Sequence, residues 1–298
     1  MDSTVNETFV KSILNKHKKR DRYFLDDYSV NPYSGCSFNC LYCYTKGSKY
    51  GEGRSKVLSA KVNAPEVLEK QLRRRAEKGE YGIIAMSTAT EPYQGVEKHL
   101  KLTRRLLEII LKYRFPVHIL TKSTLVLRDL ELLKKVDKIA ILPEDLREKF
   151  KRGVIVNFSM PTLNEKLAKV LEVGAPTPKE RLEAMKRCKE AQLFAGVSYI
   201  PLLPYISDSE EKLDEMIRTA KDYGADFVFV GTLTLFGDKP TGSKMLYYRF
   251  LEKYYSELLP QYKNLFERSY QPPKKYRKNL EEKSKKLCKK YRIKNGII

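Results

Sequence analysis

The sequence has 298 residues, of which 42% are hydrophobic, with five cysteines and no tryptophan. This is enough for one barrel-sized α/β domain with a large core, and no stretch approaches the roughly 20 apolar residues of a membrane span, so a membrane protein is not expected. Lysine and arginine number 58 against 37 acidic residues, a formal net charge of +21, which favours nucleic acid as a partner because each neutralised phosphate releases counterions; a charge-rich, heat-adapted surface is the alternative explanation.

The chain opens with a polar leader whose last residues read NKHKKRDR. We predict a basic N-terminal arm over residues 1–24, either a surface arm or a short helix. The leader contains no apolar signal segment, and the composition is typical of a protein whose thiols stay reduced. A cytoplasmic location is therefore expected.

Residues 25–240 alternate strand-like and helix-like segments. The six strand-like runs are Tyr28–Pro32, Gly82–Met86, Val117–Leu120, Val154–Ser159, Val197–Pro201 and Phe227–Val230. Short buried strands that alternate with helices predict an α/β fold with a parallel sheet, and six units predict a partial (β/α)6 barrel. The functional face of such a barrel lies at the carboxyl ends of its strands.

One segment, residues 137–153, interrupts the simple repeat between the third and fourth strand-helix units. It is either a long connector or an extra surface on the substrate side, and the sequence does not choose between them.

Residues 241–298 are predicted to form a basic, mainly helical C-terminal extension. Residues 262–298 hold 13 Lys or Arg and 3 Glu, a net charge of 13 − 3 = +10. Interleaved tyrosines could stack on unpaired bases while the basic groups follow phosphates; they are Tyr262, Tyr270, Tyr276 and Tyr291. The alternative is an amphipathic helix that closes the open side of the barrel, since Tyr276, Leu280, Leu287 and Tyr291 share one helical face.

Three cysteines lie within eight residues of the sequence GCSFNCLYCY, residues 35–44: Cys36, Cys40 and Cys43. An odd cysteine count disfavours disulfides. Structural zinc needs four ligands, and the remaining cysteines and the histidines are isolated, so zinc is a weaker alternative. An iron–sulfur cubane has four irons normally held by four thiolates, so three thiolates would leave one iron open.

Polar groups follow each of the first four predicted strands. The cysteine motif lies at the end of the first strand, and STATEPYQ, which contains Glu91, lies at the end of the second. TKST, which contains Lys122, ends the third strand, and NFSMPT, which contains Ser159, ends the fourth. We expect these groups to converge on one rim of the barrel.

The Cys-x3-Cys-x2-Cys spacing, with an aromatic residue just before the third cysteine, resembles the radical S-adenosylmethionine (SAM) superfamily. NPYSGCSFNCLYCY, STATEPYQ and LEVGAPTPKERLEAM are similar, more closely, to the branch of spore photoproduct lyase and its photolyase-like relatives. The resemblance covers roughly residues 25–235.

The resemblance implies a radical SAM enzyme with a 4Fe-4S cluster and S-adenosylmethionine as cofactors. Cys36, Cys40 and Cys43 match the cluster ligands, and the open iron would bind the amino and carboxylate groups of S-adenosylmethionine. The remaining matches are cofactor-binding positions: Tyr42 beside the adenine, Glu91 at the motif for the amino group, Lys122 near the carboxylate and Ser159 near the ribose. Reductive cleavage to a 5'-deoxyadenosyl radical also implies an electron donor such as ferredoxin or flavodoxin.

Tyr44 matches the tyrosine implicated in hydrogen transfer in spore photoproduct lyase and is the predicted catalytic residue. That enzyme also uses a cysteine donor in the stretch that corresponds to Ser87–Glu91, where this chain has none. Ser87 or Thr88 takes the place, and neither O–H bond is weak enough to donate hydrogen readily. We therefore do not expect thymine-lesion repair by the same route.

Three functions remain open from the sequence. The favoured one is a radical enzyme that modifies RNA or repairs DNA, starting with hydrogen abstraction. The second turns the same chemistry on a protein, peptide or metabolite. The third is a non-enzymatic, zinc-dependent nucleic-acid-binding module.

Overall fold

The computed structural model describes residues 5–21, 23–49, 51 and 57–298. Within these ranges the strands are β1 Asn6–Thr8, β2 Asn15–Lys16, β3 Tyr28–Val30, β4 Tyr33–Ser34, β5 Ser59–Lys61, β6 Ile84–Met86, β7 Val117–Thr121, β8 Val154–Ser159, β9 Phe194–Leu202, β10 Phe227–Thr232 and β11 Lys294–Asn295. The α-helices are α1 Ala64–Glu77, α2 Glu97–Leu100, α3 Leu102–Lys112, α4 Leu130–Ile139, α5 Glu144–Arg147, α6 Glu165–Leu171, α7 Pro178–Glu190, α8 Glu210–Asp222, α9 Ser243–Tyr254, α10 Leu259–Leu265 and α11 Lys274–Lys290. Two 3-10 turns lie at Thr124–Asp129 and Ser256–Leu258.

The main sheet of the described chain has eight strands in the order β11-β10-β9-β8-β7-β6-β3-β2. All neighbours are parallel except β2, which runs antiparallel to β3. The six predicted strands are β3, β6, β7, β8, β9 and β10, in chain order across the sheet. The predicted α/β fold with a partial barrel is therefore confirmed. A smaller sheet has the order β1-β5-β4.

Alternate residues of each strand face opposite sides of the sheet. One face joins the main core with the outer helices, as Val154 and Val156 do. The other face lines the barrel and is filled by a second hydrophobic cluster, here called the bottom plug, since it gathers residues at the amino ends of several strands. Its buried members are Leu25, Ile83, Leu146, Phe150, Ile155, Phe194, Phe227, Phe229 and Ile297.

The segment 137–153 contributes to this bottom plug. Leu146 and Phe150 are buried in it, and Leu142 packs against it. Asp137 fixes the return of the segment into β8, because its carboxylate accepts a hydrogen bond from the Val154 amide at 2.9 Å. The segment therefore closes the amino end of the barrel, opposite the face where the functional groups were predicted, and is not an extra substrate-side surface.

His118 lies in the middle of β7 and is fully buried. Its Nδ1 lies 2.9 Å from the carbonyl oxygen of Phe24; because a carbonyl only accepts, Nδ1 carries the proton. Burial lowers the pKa of His118 to about 4, and the hydrogen bond to Phe24 only partly offsets this effect. The ring is neutral at physiological pH.

This shift predicts acid sensitivity of the barrel. The unfolded chain takes up a proton at His118 below about pH 6.5 and the folded chain only below about pH 4. The stabilisation that depends on neutral His118 is therefore complete above pH 6.5. As the pH falls towards 4, the free energy of unfolding decreases by about 3 kcal/mol. Urea denaturation of wild type and His118→Asn at several pH values measures it. Parallel curves for the two proteins between pH 7 and 4 would contradict the prediction.

The N-terminal arm predicted over residues 1–24 is integrated into the fold along the part that the structure describes. Residues 5–21 contain no helix and form β1 and β2. Ile13 and Leu14 are buried, and both of their amides donate to the Gln71 side-chain oxygen at 3.0 Å. The short helix is therefore not formed in residues 5–21; the segment lies on the surface as two short strands that Ile13 and Leu14 attach to α1.

The C-terminal extension completes the sheet. Helix α11 packs against β10 and α8, and β11 pairs with β10 in parallel. Leu280 and Leu287 are buried on the packed face, while the hydroxyls of Tyr276 and Tyr291 donate to Asp208 and Asp214. The predicted closing helix is thus present.

The tail tyrosines do not form a common stacking surface. Tyr262 is completely buried, so it cannot stack on a base, whereas Tyr270 is 53% exposed. None of the described helices has the length and apolar character needed to cross a membrane.

Candidate active site

The cysteine loop leaves the barrel after β3 and β4. Gly35 begins it with a φ of +80°, and a Cβ there would lie 3.3 Å from the Leu58 Cα, so the turn favours glycine. Cys36 is exposed, Cys40 is buried and Cys43 is half-buried, and all three are free thiols. The loop thus presents three thiols that form no disulfide.

The thiols differ in their surroundings. Although the Cys36 residue as a whole is exposed, desolvation of its thiol raises the pKa, and the nearby Glu91 charge raises it further. Burial also raises the pKa of Cys40, while the positive charge of Lys122 opposes this. Without a metal the Cys36 and Cys40 thiols stay protonated at neutral pH, so metal binding there would release protons.

Two buried amides tie the cysteine loop to the second strand unit. The Asn31 side-chain oxygen accepts from the Ala89 amide at 3.1 Å, and the Gln94 side-chain oxygen accepts from the Ser37 amide at 3.0 Å. Sequence reasoning missed both, although Asn31 opens the quoted cysteine motif and Gln94 closes STATEPYQ. They fix the loop against the rim.

Glu91 lies at the carboxyl end of β6, as predicted, and is buried. Its carboxylate accepts hydrogen bonds from the Tyr93 and Lys122 amides at 3.0 and 2.9 Å and from the Thr121 hydroxyl. Burial raises the pKa of Glu91, and these hydrogen bonds lower it in part. The carboxylate joins the ends of β6 and β7.

Lys122 and Ser159 meet across the ends of β7 and β8. The Lys122 ammonium donates to the Ser159 hydroxyl at 3.0 Å, and that hydroxyl donates to the Ile200 carbonyl at 3.0 Å. Burial lowers the pKa of Lys122, but the negative charge of Glu172 is the largest of the influences that raise it above the ordinary value. The group is therefore a permanent cation beside the cysteine loop.

A buried ion pair that sequence reasoning missed lies behind this rim. The Glu172 carboxylate accepts from Arg181 at 2.6 Å and lies 3.8 Å from the Lys122 ammonium. The side chains of Glu172 and Arg181 are both fully inaccessible to solvent. Arg181 also donates to the Ser159 carbonyl at 2.8 Å, so the pair contacts Lys122 and Ser159, two of the four predicted cofactor-binding residues.

Tyr42 is buried between this ion pair and the cysteine loop. Its ring belongs to the hydrophobic cluster that includes Phe38 and Cys40, and its hydroxyl donates to Glu172. Burial and the Glu172 charge raise the pKa of Tyr42. The structure thus brings Tyr42, Lys122 and Glu172 together.

Tyr44 faces the end of β6, where its hydroxyl donates to the Thr88 carbonyl. Ser87, the residue before Thr88, has a φ of +70° and is buried. Tyr44 therefore lies beside the stretch where the sequence lacks the donor cysteine of the resembled enzyme.

In the described part of the chain, no three histidine, cysteine or acidic side chains are grouped to hold a metal ion. The chemistry of the loop suits a multi-iron group nonetheless, because soft thiolates prefer iron–sulfur clusters and each thiolate of a cubane binds a different iron. Lys122 and Glu91 are suitable partners for a carboxylate and an ammonium.

Residues 30–217 match the Radical SAM superfamily. The chain belongs to this superfamily. Superfamily members use a 4Fe-4S cluster and S-adenosylmethionine, so this protein is a radical SAM enzyme with those cofactors.

An uncharacterised protein of Mycobacterium tuberculosis is 31% identical over 281 residues, 92% of this chain and 77% of the relative. Spore photoproduct lyase complexed with dinucleoside spore photoproduct is similar in structure, with a TM-score of 0.65 and 14% identity over 96% of this chain and 78% of that one. A variant of that enzyme with bound S-adenosylmethionine and dinucleoside spore photoproduct has a TM-score of 0.62 and 15% identity, over 93% of this chain and 78% of that one. At these identities the two structures show the shared radical SAM fold.

Proposed function

We propose that this radical SAM enzyme acts on nucleic acid, modifying RNA or repairing DNA. In this proposal Cys36, Cys40 and Cys43 hold the cluster. When bound, the cofactors supply a 5'-deoxyadenosyl radical that abstracts hydrogen from the substrate. A stacked aromatic pair next to the cysteine loop, one ring of which is exposed, is the observation that carries the choice of substrate.

In the same proposal, the chain's own residues orient S-adenosylmethionine. Lys122, held by Ser159 and charged beside Glu172, attracts the cofactor carboxylate. Glu91 attracts the amino group, and Ser159 serves the ribose. Tyr42 supports the adenine side of the site from the core, and Tyr44 is placed to exchange hydrogen near Thr88.

The aromatic pair consists of Phe236 and Tyr270, whose rings stack with centroids 4.6 Å apart at 20°. The backbone of Phe236 lies against Gly47, four residues after Cys43, so closely that a Cβ at Gly47 would clash. Because Tyr270 is 53% exposed, one ring face can receive an unpaired base. In this proposal the pair supplies a stacking surface close to the cysteine loop.

The charge distribution supports the same substrate. On α11, Lys286 and Lys290 pair with Glu210 and Asp214. Lys274, Lys275 and Lys289 are exposed and form no ion pair within the residues described, which leaves them available for phosphates. The spore photoproduct lyase structure with its dinucleoside lesion is a relative in fold only, and without a cysteine in Ser87–Glu91 we do not propose the same repair route.

Replacing Tyr270 with alanine tests the proposal. We expect single-stranded RNA or DNA oligonucleotides to bind about tenfold more weakly, since base–aromatic stacking contributes about 1–3 kcal/mol per base. Fluorescence anisotropy at several salt concentrations measures the dissociation constant, which should rise with salt in both proteins. Substitution is preferable to deleting the tail from Pro272, because deletion would remove β11 from the sheet.

Tyr254→Ala is the matched control, because Tyr254 is similarly exposed at 48% but lies on α9. Equal weakening by both variants, or no binding to nucleic acid at low salt, would contradict the proposal. The second outcome would favour a protein, peptide or metabolite as the substrate.

A further inference from the structure

A cavity of about 810 Å³ reaches the cysteine loop from outside the barrel. Its walls come from α7, from the 3-10 turn at Thr124–Asp129 and from the chain just before α3. Ser37 and Phe38, which separate Cys36 from Cys40 in the sequence, form part of its lining. The cavity therefore approaches the predicted cluster ligands with only the loop backbone in between.

The cavity is separate from the residues proposed to hold S-adenosylmethionine. Among the described residues that line it, Glu91, Lys122, Ser159 and Glu172 do not occur. Gly174 closes it against the loop, and a Cβ there would lie 2.4 Å from the Ser37 carbonyl oxygen. This close approach keeps the wall beside the cysteines thin.

The rim of the cavity carries three exposed cations, Lys98, Lys179 and Arg187. None of them forms an ion pair in the portion of the chain described. Two acidic residues also line the cavity: Glu180 accepts from the Thr177 amide at 2.7 Å, and Glu183 accepts from the Tyr223 hydroxyl. Both donors are neutral, so the three cations outnumber the two carboxylates by 3 − 2 = 1 positive charge, around an apolar floor that includes Leu125 and Leu127.

We propose that this cavity, with its rim of Lys98, Lys179 and Arg187, is the docking surface for an acidic one-electron donor protein. This inference rests on the proposed cluster site, because reductive cleavage of S-adenosylmethionine consumes one electron. The donor's reduced cofactor is oxidised by one electron, the group held by the cysteines is reduced by one, and no atom is transferred.

The physical features match such a partner. An apolar centre with a charged rim is the usual anatomy of a protein interface, and weak redox complexes use small surfaces. Opposite charges steer the encounter and set its salt dependence. Because the cavity opens beside Ser37 and Phe38, docking here brings the donor next to the cysteine loop without covering the residues proposed to hold S-adenosylmethionine.

The test uses reduced flavodoxin, an acidic flavoprotein, as the probe. In the triple variant Lys98→Glu, Lys179→Glu, Arg187→Glu, we expect the flavodoxin dissociation constant, measured by anisotropy, to rise at least about tenfold at low salt. Formation of 5'-deoxyadenosine driven by flavodoxin should fall at low flavodoxin concentration, whereas formation driven by dithionite should not change. The chemical reductant needs no docking surface.

The control is Lys135→Glu, Lys149→Glu, Lys151→Glu, which makes the same change in net charge at exposed positions away from the cavity. An equal loss in the control, an equal loss with dithionite, or competition for the rim by a single-stranded oligonucleotide in place of flavodoxin would overturn the inference. Absence of 5'-deoxyadenosine in wild type with dithionite would instead contradict the proposed function, while the anisotropy measurement would still test the docking surface.

Discussion

A Cys40→Ala variant is expected to lose 5'-deoxyadenosine formation by more than about 100-fold. Removing residues that merely orient metal ligands already costs about 10–100-fold, and Cys40 is proposed as a ligand itself. Only two thiols would remain on the loop, and the burial of Cys40, which is 9% exposed, restricts access of a replacement ligand from solvent. Iron and acid-labile sulfide after anaerobic reconstitution, followed by chromatography of the products, measure both effects.

Cys188→Ala is the matched control, because Cys188 is also a buried free thiol but lies in α7. It should keep the wild-type iron content and product yield. If Cys40→Ala retained both as well, the cysteine loop would not be the cluster site. If neither wild type nor variant bound iron, zinc would have to be reconsidered for the three thiols.

The second large effect is expected for Glu172→Ala. The free energy of unfolding should fall by about 3–5 kcal/mol, because breaking a buried ion pair leaves an uncompensated charge, here Arg181, whose side chain is fully buried. The pKa of Lys122 should also fall, since Glu172 is the largest influence that raises it. Chemical denaturation followed by circular dichroism measures the loss of stability.

Two further variants separate the buried charge from general effects. Glu190→Ala removes an exposed acid from the end of α7 and should change stability by less than about 0.5 kcal/mol. Adding Arg181→Met to Glu172→Ala should recover part of the loss, because the uncompensated cation is then gone. A midpoint for Glu172→Ala equal to that of wild type would exclude the supporting role of this pair.

Local sequence patterns predicted the barrel well, because each strand is a short apolar run with its own flanking helix. The β8 bounds, Val154–Ser159, agree with the structure, while β9 starts earlier than predicted. The cysteines were predictable for the same reason, since their spacing is local. Strands of two or three residues, such as β1 and β2, leave no periodicity to detect, which is why the two strands of the N-terminal segment were not predicted.

Other features depend on contacts between distant residues. Glu172 and Arg181 have charged side chains that sequence patterns assign to solvent, and only the folded chain shows that they neutralise each other. Leu146 and Phe150 are four residues apart and indicate an apolar helical face, but not which end of the barrel that face covers. Likewise, the exposure of Tyr270 and the burial of Tyr262 follow from packing.

The hydrophobic cluster around the cysteine loop has a consequence for biosynthesis. Cys40 and Tyr42 share it with Tyr247, Tyr262 and Phe266, and β11 adds the last strand of the sheet. A nascent chain leaves the ribosome amino end first, so the three thiols emerge long before the residues that cover them. The cysteine loop therefore reaches its finished environment only once residues up to Phe266 have been translated, and until then its three thiols lack the aromatic side chains that surround the loop in the folded protein.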